Sequence, residues 1–158
     1  TALQQESPSV LRYPRGVGEG VEWRGVPFEA VEVGRGECLK EGANIAILAV
    51  GTMANVALRA AERSTKSVAV YDLRYVKPLD EALILDVARR FKHIITIEDG
   101  ILRGGVGESI AALIARNSLS PKITTLGIDD SFVEHGKPAE LYADCGYDED
   151  ALLKELEK

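Results

Sequence analysis

Ile45-Ala46-Ile47-Leu48-Ala49-Val50-Gly51-Thr52 decides how this sequence folds. The first six residues form an apolar run of strand length with no polar face. Such a run suits a strand buried on both sides, as in a parallel sheet covered by helices. Gly51-Thr52 turns the chain, and Thr52 can cap a helix reaching about Ser64. Val56, Ala57, Ala60 and Ala61 give that helix an apolar stripe.

The same unit recurs downstream. Ser67–Asp72 reads as a second core strand. Pro78-Leu79-Asp80 opens a helix to about Phe91, with Asp80 as cap and Leu83, Ile84, Val87 and Ala88 inward. His93–Glu98 is a third core strand. Gly104-Gly105-Val106-Gly107 leads into a helix to about Asn117, with Ile110, Ala111, Leu113 and Ile114 apolar. Lys122–Gly127 is a fourth strand, 129–136 an irregular loop, and Pro138 to about Ala143 a short helix. Asp148 caps a last helix with Leu152, Leu153 and Leu156 inward.

Upstream the pattern loosens. Phe28–Val33 alternates well enough for a strand and has no helical crossover before Asn44, so it is expected as an antiparallel edge. Ser9-Val10-Leu11 reads as a short strand, followed by a stretch rich in glycine and charge. Right-handed crossovers between the successive units predict an α/β fold. The expected architecture is a three-layer α/β/α domain with a mostly parallel sheet of about five strands and one antiparallel edge strand.

The 158 residues suffice for one domain with a real core, and 46% hydrophobic with 28% charged residues is a globular composition. A net charge of −6 argues against a nucleic-acid partner and provides no polybasic membrane patch. No apolar run approaches the roughly 20 residues that span a bilayer, and the start has the features of neither a signal peptide nor an initiating Met. Cys38 and Cys145 fit no metal or redox spacing and read as two reduced thiols of a cytoplasmic protein, with a single disulfide as the open alternative.

Several residues are candidates for chemistry. The glycine turn at 104–107 can either cradle an anion on free N–H groups or serve as a tight turn. Its spacing matches neither the dinucleotide fingerprint nor the P-loop, which favours the turn. Glu98-Asp99 ends a core strand, where α/β domains place ligands. Adjacent strand residues point to opposite faces, which favours hydrogen-bonded structural carboxylates over a chelating pair. Arg74 and Lys77 can reach an anion or pair with Asp72 and Asp80. His93 and His135 have no nucleophile at a recognisable spacing. Arg12-Tyr13-Pro14-Arg15-Gly16 sets two guanidiniums about a rigid proline, either a solvated basic turn or a phosphate grip. Pattern alone yields no catalytic residue, no metal ligands and no reaction.

Four segments occur in an order and spacing that carry a resemblance: Arg12–Gly16, Tyr71–Asp80, Glu98-Asp99 followed by Gly104–Gly107, and Phe132–Gly136. Together they resemble the C-terminal portion of the 1-deoxy-D-xylulose-5-phosphate synthases, of the transketolase superfamily, over essentially the whole chain. The Gly-Gly-Val-Gly turn is shared with beta subunits of 2-oxoacid dehydrogenases. The resemblance implies that residues 1–25 are the tail of a preceding pyrimidine-binding domain plus linker, and 26–158 a transketolase C-terminal-like domain. It implies a cytoplasmic, homodimeric transferase that condenses pyruvate with glyceraldehyde 3-phosphate, with loss of CO2, for isoprenoid and thiamine synthesis. Arg15 matches the family residue that contacts the acceptor's phosphate, and Arg12 is its weaker neighbour as a substrate-binding residue. Thiamine diphosphate and Mg2+ belong to domains whose Gly-Asp-Gly motif and catalytic glutamate do not occur here. Glu98 is not that glutamate. This chain alone is therefore expected to bind neither cofactor and to be inactive. The alternative is a separate C-terminal subunit or assembly module of a split transketolase-like enzyme, or of a 2-oxoacid dehydrogenase beta subunit.

Overall fold

The computed structural model describes residues 1–14, 18, 20 and 22–158. Its strands are β1 (Glu37–Lys40), β2 (Ile45–Ala49), β3 (Val68–Asp72), β4 (His93–Ile101) and β5 (Lys122–Ile128). Its helices are α1 (Met53–Arg63), α2 (Glu81–Arg90), α3 (Val106–Arg116), α4 (Pro138–Asp144) and α5 (Glu149–Leu156). The strands form one sheet in the order β1-β3-β2-β4-β5. Only β1 runs antiparallel, against β3, and the other pairings are parallel. The three-layer, mostly parallel architecture with one antiparallel edge is the one the sequence predicts.

All five residues of β2 are buried, as a strand with helices on both faces requires. Its side chains alternate between two cores. Ile45, Ile47 and Ala49 pack with Val56, Ala57 and Ala60 of α1 and with Leu152 and Leu156 of α5. Ala46 and Leu48 pack with Ile84 and Val87 of α2 and with Ile110 and Ile114 of α3. Among the described residues the buried hydrophobic core begins at Ile45, and Leu3, Val10, Tyr13 and Phe28 are exposed.

Three local expectations fail. Phe28–Val33 is not a strand: it is exposed, without a β partner among the described residues. The antiparallel edge is instead the four-residue β1, where Glu37 and Cys38 register with Asp72 and Tyr71. Ser9–Leu11 is likewise irregular and exposed. Alternation supplies a face but no partner, and a strand exists only where another completes its hydrogen bonds. Thr52 occupies the N-cap position of α1, yet its side chain makes no capping bond. Asp80 and Asp148 do cap as expected, accepting from the amides of Leu83 and Ala151.

Candidate functional site

β2 leads through α1 to β3 on one side, and β3 leads through α2 to β4 on the other. The winding thus reverses between β2 and β4, and at such a point the strand carboxyl ends part to form a crevice. The carboxyl-terminal half of β4 supplies Glu98 and Asp99 there. An open groove of about 360 Å³ beside Glu98 is lined by Val76, Leu79, Glu98, Ile101, Gly105 and Ser109, among others.

Strand alternation separates the two carboxylates. Glu98 is buried on the α3 side and accepts from the backbone N–H groups of Val106 (3.0 Å) and Gly107 (2.8 Å). Its charge therefore sits on the positive end of the α3 dipole and satisfies two amides that helix geometry leaves unpaired. The glycines make room for this contact. A Cβ on Gly105 would lie 2.7 Å from Glu98 Oε1, and one on Gly107 would lie 2.6 Å from Thr96 Oγ1. The turn is tight, as its spacing favours, and the anion it holds is the protein's own.

Asp99 faces the other side. Its Oδ1 accepts from the Tyr147 hydroxyl at 3.0 Å and its Oδ2 from the Tyr142 hydroxyl at 3.3 Å. The two rings lie 5.0 Å apart, centroid to centroid. Burial, reinforced by the Asp99 carboxylate, pushes both phenol pKa values up, so both hydroxyls remain proton donors. The third neighbour of Asp99 is Arg12, whose Nη2 lies 3.9 Å from Oδ2. Arg12 thus reaches the carboxyl end of the sheet, while Arg15 and Gly16 lie outside the described residues.

Arg74, Asp72, Asp80 and His93 are taken up by contacts within the fold. The Arg74 guanidinium pairs with Glu37 rather than with Asp72, which instead accepts from the Arg74 backbone N–H. Asp80 is taken by Arg35 and by the amides of Gly36 and Leu83, not by Lys77. His93 shares a hydrogen bond with Thr124, and its pKa is lowered by burial and by Lys122. His135 is exposed. Cys38 and Cys145 are free thiols.

Tyr142 and Tyr147 are the site residues that sequence reasoning missed. Their five-residue spacing across a helix end carries no motif, and only the packing of α4 and α5 brings them to Asp99. Among the described residues, no group of three His, Cys, Asp or Glu side chains can hold a metal ion, and no helix is long and apolar enough to cross a membrane. A diphosphate does not fit the N-terminus of α3, because it would meet the carboxylate of Glu98 on the same amides.

Known proteins share this arrangement. The family model "Transketolase, C-terminal domain" matches residues 34–152. The chain is 48% identical to 1-deoxy-D-xylulose-5-phosphate synthase of Bacteroides thetaiotaomicron over 99% of its length, and 44% identical to that of Phocaeicola vulgatus over 98%. It spans about a quarter of each of these relatives (25% in both). Among solved structures, a split-gene transketolase described as an inactive beta4 tetramer superposes with a TM-score of 0.73 at 29% identity. That match covers 80% of this chain and 42% of the other. With its reversing sheet, its self-capped glycine turn and a family match over most of its length, the chain belongs to the transketolase C-terminal domain family.

Proposed function

We propose that this chain is the C-terminal part of a synthase that joins pyruvate and glyceraldehyde 3-phosphate, with loss of CO2, into 1-deoxy-D-xylulose 5-phosphate. The observation that carries this reading is the 48% identity, over 99% of the chain, to a protein of that name. Residues 1–25 are the tail of a pyrimidine-binding domain plus linker, and 26–158 form the C-terminal domain. Arg15 grips the acceptor's phosphate, a task suited to a planar guanidinium with several donors, and Arg12 stands beside it. Thiamine diphosphate and Mg2+ are held by segments beyond this chain, in a cytoplasmic homodimer. The chain alone is inactive, because the family's Gly-Asp-Gly motif and catalytic glutamate do not occur in its sequence.

The test is a chimera in which this chain replaces the matching quarter of the Bacteroides thetaiotaomicron synthase. The expected result is synthase activity, with Arg15→Ala raising KM for glyceraldehyde 3-phosphate by roughly 10- to 100-fold, the worth of a charge-assisted contact. KM for pyruvate stays unchanged. A folded, cofactor-loaded chimera without activity, or an Arg15→Ala variant with an unaltered acceptor KM, overturns the reading. Turnover by the 158-residue chain alone overturns its inactivity.

The likeness to a split-gene transketolase favours a second reading, a separate subunit that docks to a cofactor-bearing partner. An adjoining reading frame that encodes the cofactor domains separately would decide for it.

A further inference from the structure

We propose that Glu155, Thr124 and His93 form a pH-sensitive clasp that holds the end of α5 to β5 and slackens as His93 takes up a proton.

Glu155 is a carboxylate remote from the ligand crevice, only 8% exposed although it sits in the last turn of α5. Both of its oxygens are taken. Oε1 accepts from the Thr124 hydroxyl at 3.4 Å and faces Lys122 Nζ at 3.6 Å, and Oε2 pairs with Lys158. Thr124 Oγ1 in turn lies 3.0 Å from His93 Nε2. An ionised carboxylate only accepts, so the single hydroxyl proton of Thr124 points to Glu155. Thr124 must then accept from His93, which places the proton of the neutral imidazole on Nε2. One hydrogen-bonded chain thus runs from the first residue of β4 through β5 to α5, and neutral His93 completes it.

A second proton, on Nδ1, adds no link to this chain and brings a third cation, after Lys122 and Lys158, to one carboxylate. Burial first, then Lys122 and Lys66, lower the His93 pKa from its ordinary 6.5, while Glu155 opposes them. Burial also works against the charge of Glu155, but Lys158 and Lys122 outweigh it and hold that pKa below the ordinary 4.5. Glu155 therefore stays ionised while His93 titrates. The unfolded chain takes up the histidine proton first. The contribution of the clasp is thus complete above about pH 6.5 and declines as pH falls through the native midpoint. Leu152 and Leu156, fully buried, keep α5 on the core meanwhile, so the loss falls on its last turn. The other tie of that turn, Glu157 on Ser64 and Thr65, has a pKa of about 2 and does not respond in this window.

NMR of the 158-residue chain tests the clasp. His93, told apart from His135 by a His93→Gln variant, is expected as the Nε2–H tautomer with a midpoint below 6.5. Lys122→Met, at a side chain 59% exposed, should raise that midpoint, and Glu155→Gln should lower it. Between about pH 7 and about pH 5.5, hydrogen exchange of the last α5 amides, referred to those of α2, should quicken by up to about five-fold, the worth of a partly exposed ion pair. In His93→Gln that ratio should stay constant. A midpoint at or above 6.5 overturns the proposal, as does one that Lys122→Met fails to raise. So does an α5-to-α2 ratio that ignores pH, or one that still responds in His93→Gln.

Discussion

Replacing Glu98 with Gln should destabilise the domain by about 2–3 kcal/mol, although the substitution changes one atom and a charge. The carboxylate accepts two helix amides, at 3.0 and 2.8 Å, from a position only 6% exposed. Glutamine retains one acceptor oxygen and turns an N–H donor toward the other amide. One charge-assisted hydrogen bond is lost, worth about 1.5–3 kcal/mol. The attraction to the α3 dipole is lost as well, roughly 0.3–1 kcal/mol and more where solvent is excluded. Relief from burying a charge offsets part of this. Against a typical total stability of about 5–15 kcal/mol the variant still folds, with a melting temperature lower by about 5–10 °C. Trp23, the sole tryptophan, is 60% exposed, so far-UV circular dichroism is the better probe of unfolding. Urea titration should show a lower midpoint at an unchanged slope. Hydrogen exchange should quicken first at Val106 and Gly107. A loss below about 0.5 kcal/mol, in the range of an ordinary surface substitution, would refute the idea that Glu98 holds the start of α3.

Three further outcomes follow from the same contacts. Gly107→Ala sets a Cβ 2.6 Å from the buried Thr96 Oγ1 and should cost about 1–3 kcal/mol, read as a lower urea midpoint. Asp80→Ala removes the α2 cap and the bond to the Gly36 amide, and a loss of about 1–3 kcal/mol with faster exchange at Gly36 and Leu83 is expected. Glu157 accepts from Thr65 and Ser64, which lower its pKa to about 2 from an ordinary 4.5. Its native pKa lies below the unfolded one, so its contribution is complete above about pH 4.5 and is lost as pH falls toward 2. Glu157→Gln should flatten stability against pH in that window, and an NMR titration placing Glu157 at 4 or above would contradict the assignment.

The strand–helix alternation from Asn44 onward was legible because the central strands open on apolar runs, the helices carry apolar stripes, and α2 and α5 carry aspartate caps. Those signals lie within a single element. What escaped lies between elements. Phe28–Val33 alternates better than Glu37-Cys38-Leu39-Lys40, yet only the latter meets β3, and pairing depends on where Gly36 and Gly42 let the chain approach the β3 backbone closely, a Cβ on them lying 2.9 Å from Asp72 O and 2.2 Å from Ala69 N. At the site, Glu98 and the glycine turn were each visible, and strand alternation separated Glu98 from Asp99 correctly. That Glu98 fills the turn depends on the path of residues 100–105, which no periodicity encodes. The approach of Tyr142 and Tyr147 to Asp99 spans more than forty residues of chain and waits on tertiary packing.

The short β1 also bears on how the sheet ends. An uncovered strand edge is a template on which another chain can add a strand, the first step of runaway aggregation. β1 offers only four residues, its register shifts between Cys38 and Lys40, and Glu37 and Lys40 place a charge at each end. It works as a blunt terminator, giving β3 a partner while leaving little regular ladder for a newcomer. A smooth, apolar redesign of Glu37–Lys40 would satisfy the same hydrogen bonds and make the sheet adhesive.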